Sequence, residues 1–413
     1  MSGVRIGAGA GAGGGEERPV VLCVASYEKG GDFIRALHDE GCETLLLTTE
    51  ELQDAEHWPR DHIDFLHAMP DLTVFPHMVN GVSWMARSRR IRRIIPLDEF
   101  DLEVVAGLRE HLCLDGMGVT ETRAFRDKLT MRMRARDAGL PVPQFTSLFN
   151  DAEVRAWTAA VSPPWILKPR ASAATMGIHR VESEDELWRL LNELGDDRSR
   201  HLLERFVPGD VFHADGIVSD GGVLFLEVHG YGKPPFEVTR GGGLFISRTL
   251  DREGRAWQEL SELTGRLVYA LGLKRGAIHA EYIRGEDGRF RFLEIAARVG
   301  GAHIADLVEA TSGVNLWREW ARVEVAALRG EPYELTPRSA DYGGLIISLS
   351  RQEWPDTSAY DDPEVVWRLR KSHHAGLIVR SGSPDRIRAL TDHYAGRFLR
   401  DYTAAMPHEG LGG

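Results

Sequence analysis

Glu281 and Glu294 are the side chains whose types and spacing point most directly to chemistry. Glu281 lies in His279-Ala280-Glu281-Tyr282, and Glu294 in Phe292-Leu293-Glu294-Ile295-Ala296-Ala297-Arg298-Val299-Gly300-Gly301. The intervening Arg284-Gly285-Glu286-Asp287-Gly288-Arg289 has turn composition, which predicts a hairpin. Folded there, the two strands put both carboxylates on one face, where they can share a hard cation. Mg²⁺ takes oxygen ligands, commonly one or two carboxylates plus substrate phosphates. A phosphate-handling site is therefore the first reading. Two solvated strand glutamates are the alternative, and the pair alone does not decide between them.

The elements that must hold this pair are legible in outline. Pro19–Ala25 is a wholly apolar run of the kind buried in parallel sheets. Gly30-Gly31 then leads an amphipathic helix to about Glu40. Strands follow at Glu43–Thr48 and at Arg93–Leu97, the latter closing on Asp98-Glu99. This alternation predicts a doubly wound α/β unit. It lacks GxGxxG, so no dinucleotide is expected. Further on, the pattern predicts one helix over about Glu121–Ala138, stopped by Gly139-Leu140-Pro141. A strand at Trp165–Pro169 precedes a small-residue loop over Ala171–Gly177. A helix at Glu184–Leu194 precedes strands at Arg200–Phe206, Val211–Val218 and Val223–Val228. Helices are expected at about Glu253–Leu271 and Ala302–Leu328. The last segment has strand-like runs at Gly344–Ser348 and Gly376–Val379 and a helix at Pro384–Asp401.

Composition narrows the class. At 413 residues the chain is too long for one ordinary core. A net charge of -12 argues against a nucleic-acid partner, since phosphate backbones require basic surfaces. No apolar run reaches the ~18–20 residues of a membrane helix, so no membrane partner is expected. Cys23, Cys42 and Cys113 are scattered and odd in number, which suits a reducing compartment, and a cytoplasmic location is expected. Of the 50 basic residues, only Lys29, Lys128, Lys168, Lys233, Lys274 and Lys371 are lysine. A lysine retained among so many arginines suggests a need for a compact ammonium, although a solvated surface lysine remains the alternative for each.

The order of features is more specific than any one of them. Asp127-Lys128 precedes a helix, Lys168 ends a strand before the small-residue loop, and Glu204-Arg205-Phe206-Val207-Pro208-Gly209 follows a further strand. The Glu281/Glu294 pair comes next, with Arg298 beyond it. In this order the chain resembles the ATP-grasp ligases over about residues 20–400. The Glu-x-Ala-Ala-Arg stretch from Glu294 is most similar to the branch that joins L-amino acids into dipeptides. The resemblance implies an α/β (α+β) ATP-grasp fold. Its expected parts are a disordered tail (1–17), a doubly wound, Rossmann-like preATP-grasp domain (18–117) and a central small lobe with a helical lead-in (118–205). An antiparallel large lobe bearing the metal site (206–330) and a C-terminal subdomain completing it (331–413) follow.

The resemblance also implies roles. Lys128 and Lys168 bind nucleotide phosphates, a task suited to point charges. The loop containing Ser172 and Ala173 closes over the triphosphate. Glu204, Arg205, Phe206 and Val207 form the hinge that holds adenine, and Asp210 is the nearest candidate for the ribose hydroxyls. His213 and Asp215 alternate along one strand and share a face. They are candidates to line the site, His213 towards ATP and Asp215 towards substrate; a satisfied structural pair is the alternative. Arg298 is the candidate to stabilise the transferring group alongside Glu281 and Glu294. Tyr231, Lys233, Arg240 and Gly301 are substrate candidates, with Lys233 and Arg240 suited to a carboxylate and Tyr231 and Phe236 to an apolar wall. Most relatives carry Asn two residues after the second metal carboxylate; this chain has Ala296, a loss the dipeptide-forming branch shares.

The resulting expectation is an ADP-forming carboxylate–amine ligase that uses ATP and Mg²⁺, with two ions expected and Mn²⁺ able to substitute. It would join a small-molecule carboxylate to an amine through an acyl phosphate, in natural-product or peptide assembly, as a homodimer. Two other classes stand beside it: a bicarbonate-activating carboxylase-type subunit and a nucleotide-binding protein without turnover.

Overall fold

The protein was analysed as a computed structural model, described over residues 18–172, 177–235, 238, 243–335 and 339–403. Three sheets organise the chain. The N-terminal sheet is parallel, ordered β3-β2-β1-β4, with β1 Val20–Ala25, β2 Glu43–Thr49, β3 Phe65–Met69 and β4 Ile91–Pro96. Every residue of β1 is buried. Val21, Cys23 and Ala25 enter one core cluster and Val20, Leu22 and Val24 another, because helices cover both faces. Those helices are α1 Gly31–Asp39, α2 Phe75–Ala86 and α3 Leu102–His111. Gly30 caps α1 with a φ of 77°, and a Cβ there would meet Leu97 Cδ1 at 2.9 Å, so glycine is required on both counts.

The small sheet is antiparallel, ordered β5-β8-β6-β7, with β5 Phe145–Ser147, β6 Trp165–Pro169, β7 His179–Val181 and β8 His201–Arg205. Trp165, Leu167 and Leu203 pack with residues of α6 Asp151–Ala160 and α7 Glu184–Leu194. Ile166, Lys168 and Glu204 alternate onto the other face, towards a cavity.

The large sheet has eight strands, ordered β13-β12-β9-β10-β11-β14-β16-β15. These are β9 Gly209–Ser219, β10 Gly222–Tyr231, β11 Phe245–Thr249, β12 Gly276–Gly285, β13 Phe290–Ala296, β14 Tyr342–Leu349, β15 Val365–Arg368 and β16 His374–Ser381. One face packs Phe212, Ala214, Leu226, Val228, Ile278 and Phe292 into a core with α8 Arg255–Leu271. The last three strands and α11 Pro384–Asp401 extend this sheet beyond the hairpin that carries the carboxylates.

Two expected helices are interrupted. The stretch over Glu121–Ala138 divides into α4 Val119–Thr122, a short 3₁₀ turn and α5 Lys128–Asp137. The Asp127 side chain accepts from the N–H groups of Leu129 and Thr130 and so starts a new helix. The stretch over Ala302–Leu328 divides into α9 Ile304–Ser312 and α10 Leu316–Arg329. Gly313, at φ 72°, ends the first, and the Asn315 side chain caps the second. Strands β3, β5, β7, β11 and β15 and helices α2, α3 and α6 carry weaker periodicity and were not anticipated. Among the described residues, no helix is long and apolar enough to cross a membrane.

Candidate functional site

The predicted hairpin forms, and Glu281 and Glu294 are direct cross-strand partners. Their common face depends on a bulge. Glu281 pairs with Glu294, whereas Tyr282 pairs with Phe292, leaving Leu293 as the extra residue. Without it, Phe292 and Glu294 would share a face. With it, Phe292 joins the core against α8 while Glu294 turns to the opposite face beside Glu281.

Lys128, the first residue of α5, places its Nζ 3.0 Å from Glu294 Oε2 and donates to the Ser172 carbonyl at 2.7 Å. Asp127 fixes this end of the helix. Besides capping it, Asp127 accepts from both Nε and Nη2 of Arg170, at the head of the small-residue loop. Burial opposes ionisation of Glu294, but Lys128, with Lys168 and His279 nearby, holds its carboxyl well below the usual range.

Lys168 is buried on β6 and forms an ion pair with Glu204 on β8. Glu204 also receives Nε and Nη2 of Arg132 at 3.2 and 3.0 Å, and Arg132 Nη1 donates to the Leu293 carbonyl. Arg132 has no exposed surface and thereby ties α5, the small sheet and the β13 bulge together. Burial lowers the Lys168 ammonium from its ordinary value, Glu204 pulls it back, and Arg132 adds repulsion. Burial likewise works against the Glu204 charge, yet Lys168 and Arg132 hold it below the ordinary glutamate value. Arg132 was missed in the sequence. The available signal was its spacing, since Leu129, Arg132 and Ala135 form one buried stripe on α5.

Between the small and large sheets lies a cavity of about 250 Å³ lined by Ile166, Lys168, Glu204, Phe206, Val207 and Leu293, among others. Arg205 N–H donates to Gln144 O and Phe206 N–H to Pro164 O, which ties this stretch of backbone to the residues just before β5 and β6. Arg180 lies over the Phe206 ring, 4.5 Å from its centroid. Asp210 lies at the start of β9, exposed and paired with Arg284 at 2.8 Å.

Behind Glu281 the same sheet face carries a buried polar network. Tyr231 Oη donates to Glu281 Oε1 at 2.8 Å, and His279 Nε2 lies 3.5 Å from that oxygen. His279 Nδ1 is 2.8 Å from Asp215 Oδ1, His213 Nδ1 is 2.6 Å from Asp215 Oδ2, and His213 Nε2 is 2.7 Å from Ser247 Oγ. Burial would keep His279 neutral, but Asp215 and then Glu281 raise it to about 10. The expected face-sharing of His213 and Asp215 holds, but both have 0% exposure. They back the site rather than line it, a correction to the expectation that they meet ATP and substrate. The reason is their neighbours: the rings of His229, Tyr231 and His279 pack against His213, and His279 and Gly300 lie against Asp215. Gly300 completes this backing, because a Cβ there would meet Asp215 Oδ1 at 2.5 Å.

Arg298 is tied to the N-terminal part of the chain. Its Nε reaches Glu99 Oε2 at 3.1 Å, at the C-terminal end of β4 in the N-terminal domain. Glu99 was not singled out, although the carboxyl ends of strands in open α/β sheets are where ligands bind. Lys233 and Gly301 are exposed. Ala173, Phe236 and Arg240 lie outside the described residues.

The chain matches the ATP-grasp domain model over residues 161–306. It is 31% identical over 228 residues to the D-alanine–D-alanine ligase of Desulforudis audaxviator, an alignment covering 50% of this chain and 74% of that one. The chain belongs to the ATP-grasp family. It is also 24% identical over 276 residues to an L-arginine-specific L-amino acid ligase of Bacillus subtilis, spanning 65% of each chain, a little under two thirds of that ligase. Among solved ATP-grasp folds, the L-amino acid ligase from Bacillus licheniformis superposes with a TM-score of 0.75 at 17% identity, covering 95% of this chain and 100% of that one. Two further solved structures share the fold: the biotin carboxylase domain of Hydrogenobacter thermophilus 2-oxoglutarate carboxylase, solved with MgADP, at a TM-score of 0.66 and 18% identity, and the N5-carboxyaminoimidazole synthetase of Staphylococcus aureus, solved with ADP, at 0.68 and 12%.

Proposed function

We propose that this chain is an ADP-forming ATP-grasp ligase that joins a small-molecule carboxylate to an amine through an acyl phosphate. The supporting observation is the register pairing of Glu281 with Glu294 beside Lys128, where Glu294 is next in sequence to Leu293, which lines the same cavity as Lys168 and Glu204. The donor set suits a hard cation, since two cross-strand carboxylates offer only oxygen. Glu281 and Glu294 would hold Mg²⁺, and the ion would neutralise charge on the phosphates. Mn²⁺, an oxygen-preferring ion of similar geometry, would substitute.

In this reading the residues act by position and charge. Adenine enters the apolar cavity between Ile166, Phe206 and Leu293, with the Val207 N–H and the Arg205 carbonyl at its edge. Lys128 exchanges its contact with Glu294 for a phosphate oxygen when nucleotide enters. Lys168, oriented by Glu204 and in turn by Arg132, meets the phosphates without reorganising. Arg298, held by Glu99, presents a planar guanidinium to the oxygens of the transferring group. Phosphorylation is the step that matters, because a free carboxylate at neutral pH is a poor electrophile towards an amine. Tyr231 orients Glu281 by its hydrogen bond, and Lys233 and Arg240 are the candidates to receive a substrate carboxylate. Amino-acid-like substrates are favoured by the likeness to L-amino acid ligases.

The test is ADP release with Mg·ATP against pooled amino acids and small carboxylates, with mass spectrometry of the products. ADP together with a product mass equal to acid plus amine minus water is expected. ATP binding without ADP release from any pool would overturn the ligase reading in favour of a binding protein.

A further inference from the structure

The N-terminal sheet is ordered β3-β2-β1-β4, so the chain leaves β1 in one direction for β2 and β3 and returns past it to β4. In open α/β sheets, ligands bind outside the carboxyl ends of the two strands at such a reversal. Here Tyr27 follows β1 and Phe100 follows β4. Their rings lie 5.6 Å apart, yet 49% of Tyr27 and 39% of Phe100 remain exposed. A cation stands over each ring. Lys29 Nζ lies 5.3 Å from the centre of Tyr27, and the Arg126 guanidinium 4.9 Å from that of Phe100.

The two cations differ. Lys29 pairs with Asp98. Arg126 is half-buried, and apart from Phe100 its side chain has neither an ion pair nor a hydrogen bond among the described residues. The carboxylates beside it and beside Phe100 in the chain are all engaged elsewhere. Lys29 takes Asp98, Arg298 takes Glu99, and Ser26 takes Asp101. Asp127 is taken by Arg123, Arg170 and the start of α5. Only the Nε of Arg126 is enclosed; its two Nη groups are not. Stacking on Phe100 fixes the plane of the guanidinium and leaves the Nη edge as an oriented pair of donors.

Arg126 also lies on the rim of the candidate active site. It stands just before Asp127-Lys128, and Lys128 lies 3.0 Å from Glu294. One turn of chain beyond Glu294, Arg298 lies 3.1 Å from Glu99, whose neighbour Phe100 carries Arg126. These contacts close a ring. The nucleotide cavity takes no lining residue from the N-terminal domain, which assigns an oxyanion held against Phe100 to a substrate.

Resting on the ligase reading, we propose that Arg126 receives the carboxylate of the amine-bearing substrate, the carboxylate that the reaction leaves unaltered. The Tyr27–Phe100 pair forms the apolar wall beside it. The nucleophile is therefore an amino acid rather than a simple amine. The planar Nη edge matches two carboxylate oxygens, and no internal acid has to be displaced from it.

A competition tests this. Wild type and Arg126→Ala receive Mg·ATP with an equimolar mixture of protein amino acids, aspartate and glutamate left out, and their α-amides. An α-amide has no carboxyl to activate, so it enters only as the amine, and mass spectrometry separates dipeptide from dipeptide amide. Wild type should favour the dipeptide. Arg126→Ala should lower the dipeptide-to-amide ratio by about tenfold or more, the size of a charge-assisted hydrogen bond, with the Kd for Mg·ADP unchanged. The ratio is internal to each sample, so a partly folded variant still reports it. Arg126→Gln, which keeps an aliphatic stem on Phe100, serves should Arg126→Ala not fold. Wild type that makes both products equally overturns the proposal without any variant. So does a ratio that the variants leave unchanged, and weaker Mg·ADP binding at an unchanged ratio would place Arg126 on the nucleotide instead. Absence of any condensation product from wild type overturns the ligase reading, and this proposal with it.

Discussion

The two faces of the large sheet are made by the same strands and have opposite chemistry. On one face, Phe212, Ala214, Leu226, Val228, Ile278 and Phe292 pack on α8 with little exposed surface. On the other, at alternate positions of the same strands, stand His213, Asp215, His229, Tyr231, His279, Glu281 and Glu294. The first face stabilises by removing apolar area from water. The second buries polar and charged groups, which is unfavourable unless each finds a partner. Hydrogen bonds and close polar contacts run from Ser247 through His213, Asp215 and His279 to Glu281, while the two ring nitrogens of His229 are buried without a hydrogen-bond partner. Period-two alternation thus separates the stabilising half of each strand from the half proposed to do chemistry. Substitutions on one face should read out in stability alone, and substitutions on the other in activity as well.

The largest effect is expected at the centre of the polar face. Asp215→Ala leaves two buried imidazoles without their shared acceptor and should cost about 3–5 kcal/mol of unfolding free energy, measured by urea titration. Its carboxyl is held far below the usual range: burial opposes the charge, but His279 and His213 outweigh that. A depressed carboxylate contributes stability that is present above its unfolded value, about 3.9, and lost as pH falls. Asp215→Asn should therefore flatten the acid limb of the stability profile, and an unchanged limb would show that the network does not hold this charge.

Next comes Glu294→Gln, expected to reduce turnover by about 10²–10³-fold with little loss of stability, in the range seen when one charge-stabilising group is removed from an active site. Full turnover in this variant would remove Glu294 from the metal site. On the apolar face, Ile278→Val should cost about 0.5–1.5 kcal/mol and leave turnover per folded molecule as it was. A drop in turnover there would break the division between faces. An equally small loss of stability is expected for Tyr231→Phe, about 0.5–1.5 kcal/mol for one hydrogen bond, but here accompanied by weaker Mg²⁺ dependence because Glu281 loses its orienting donor. Stability loss with an unchanged Mg²⁺ titration would make Tyr231 a packing residue.

Much of this was legible in the chain because it depends on local pattern. Apolar runs mark β1 and β4, glycine and proline end α5, and the composition between Gly285 and Phe290 marks the hairpin turn. The order of Lys128, Lys168, Glu204, Glu281 and Glu294 was enough to suggest the ATP-grasp fold, which the family comparison then supported. Sequence reading was weaker wherever a side chain's meaning depends on a distant neighbour. Arg132 has the look of one more arginine on a basic helix until Glu204 and the Leu293 carbonyl stand beside it. Arg298 has its partner in Glu99 of another domain.

What the sequence determined by itself is the set of elements and the chemical types on each strand face, since propensity, alternation and turn composition act over a few residues. Only the tertiary structure decided which of those residues meet. The bulge at Leu293, which turns Glu294 towards Glu281 while Phe292 goes to the core, is a matter of strand register. So is the complete burial of His213 and Asp215, and so is the meeting of Arg93 and Arg275 at one cavity. Register and domain docking are set by the summed packing of many residues far apart in the chain, and no single stretch of sequence records them.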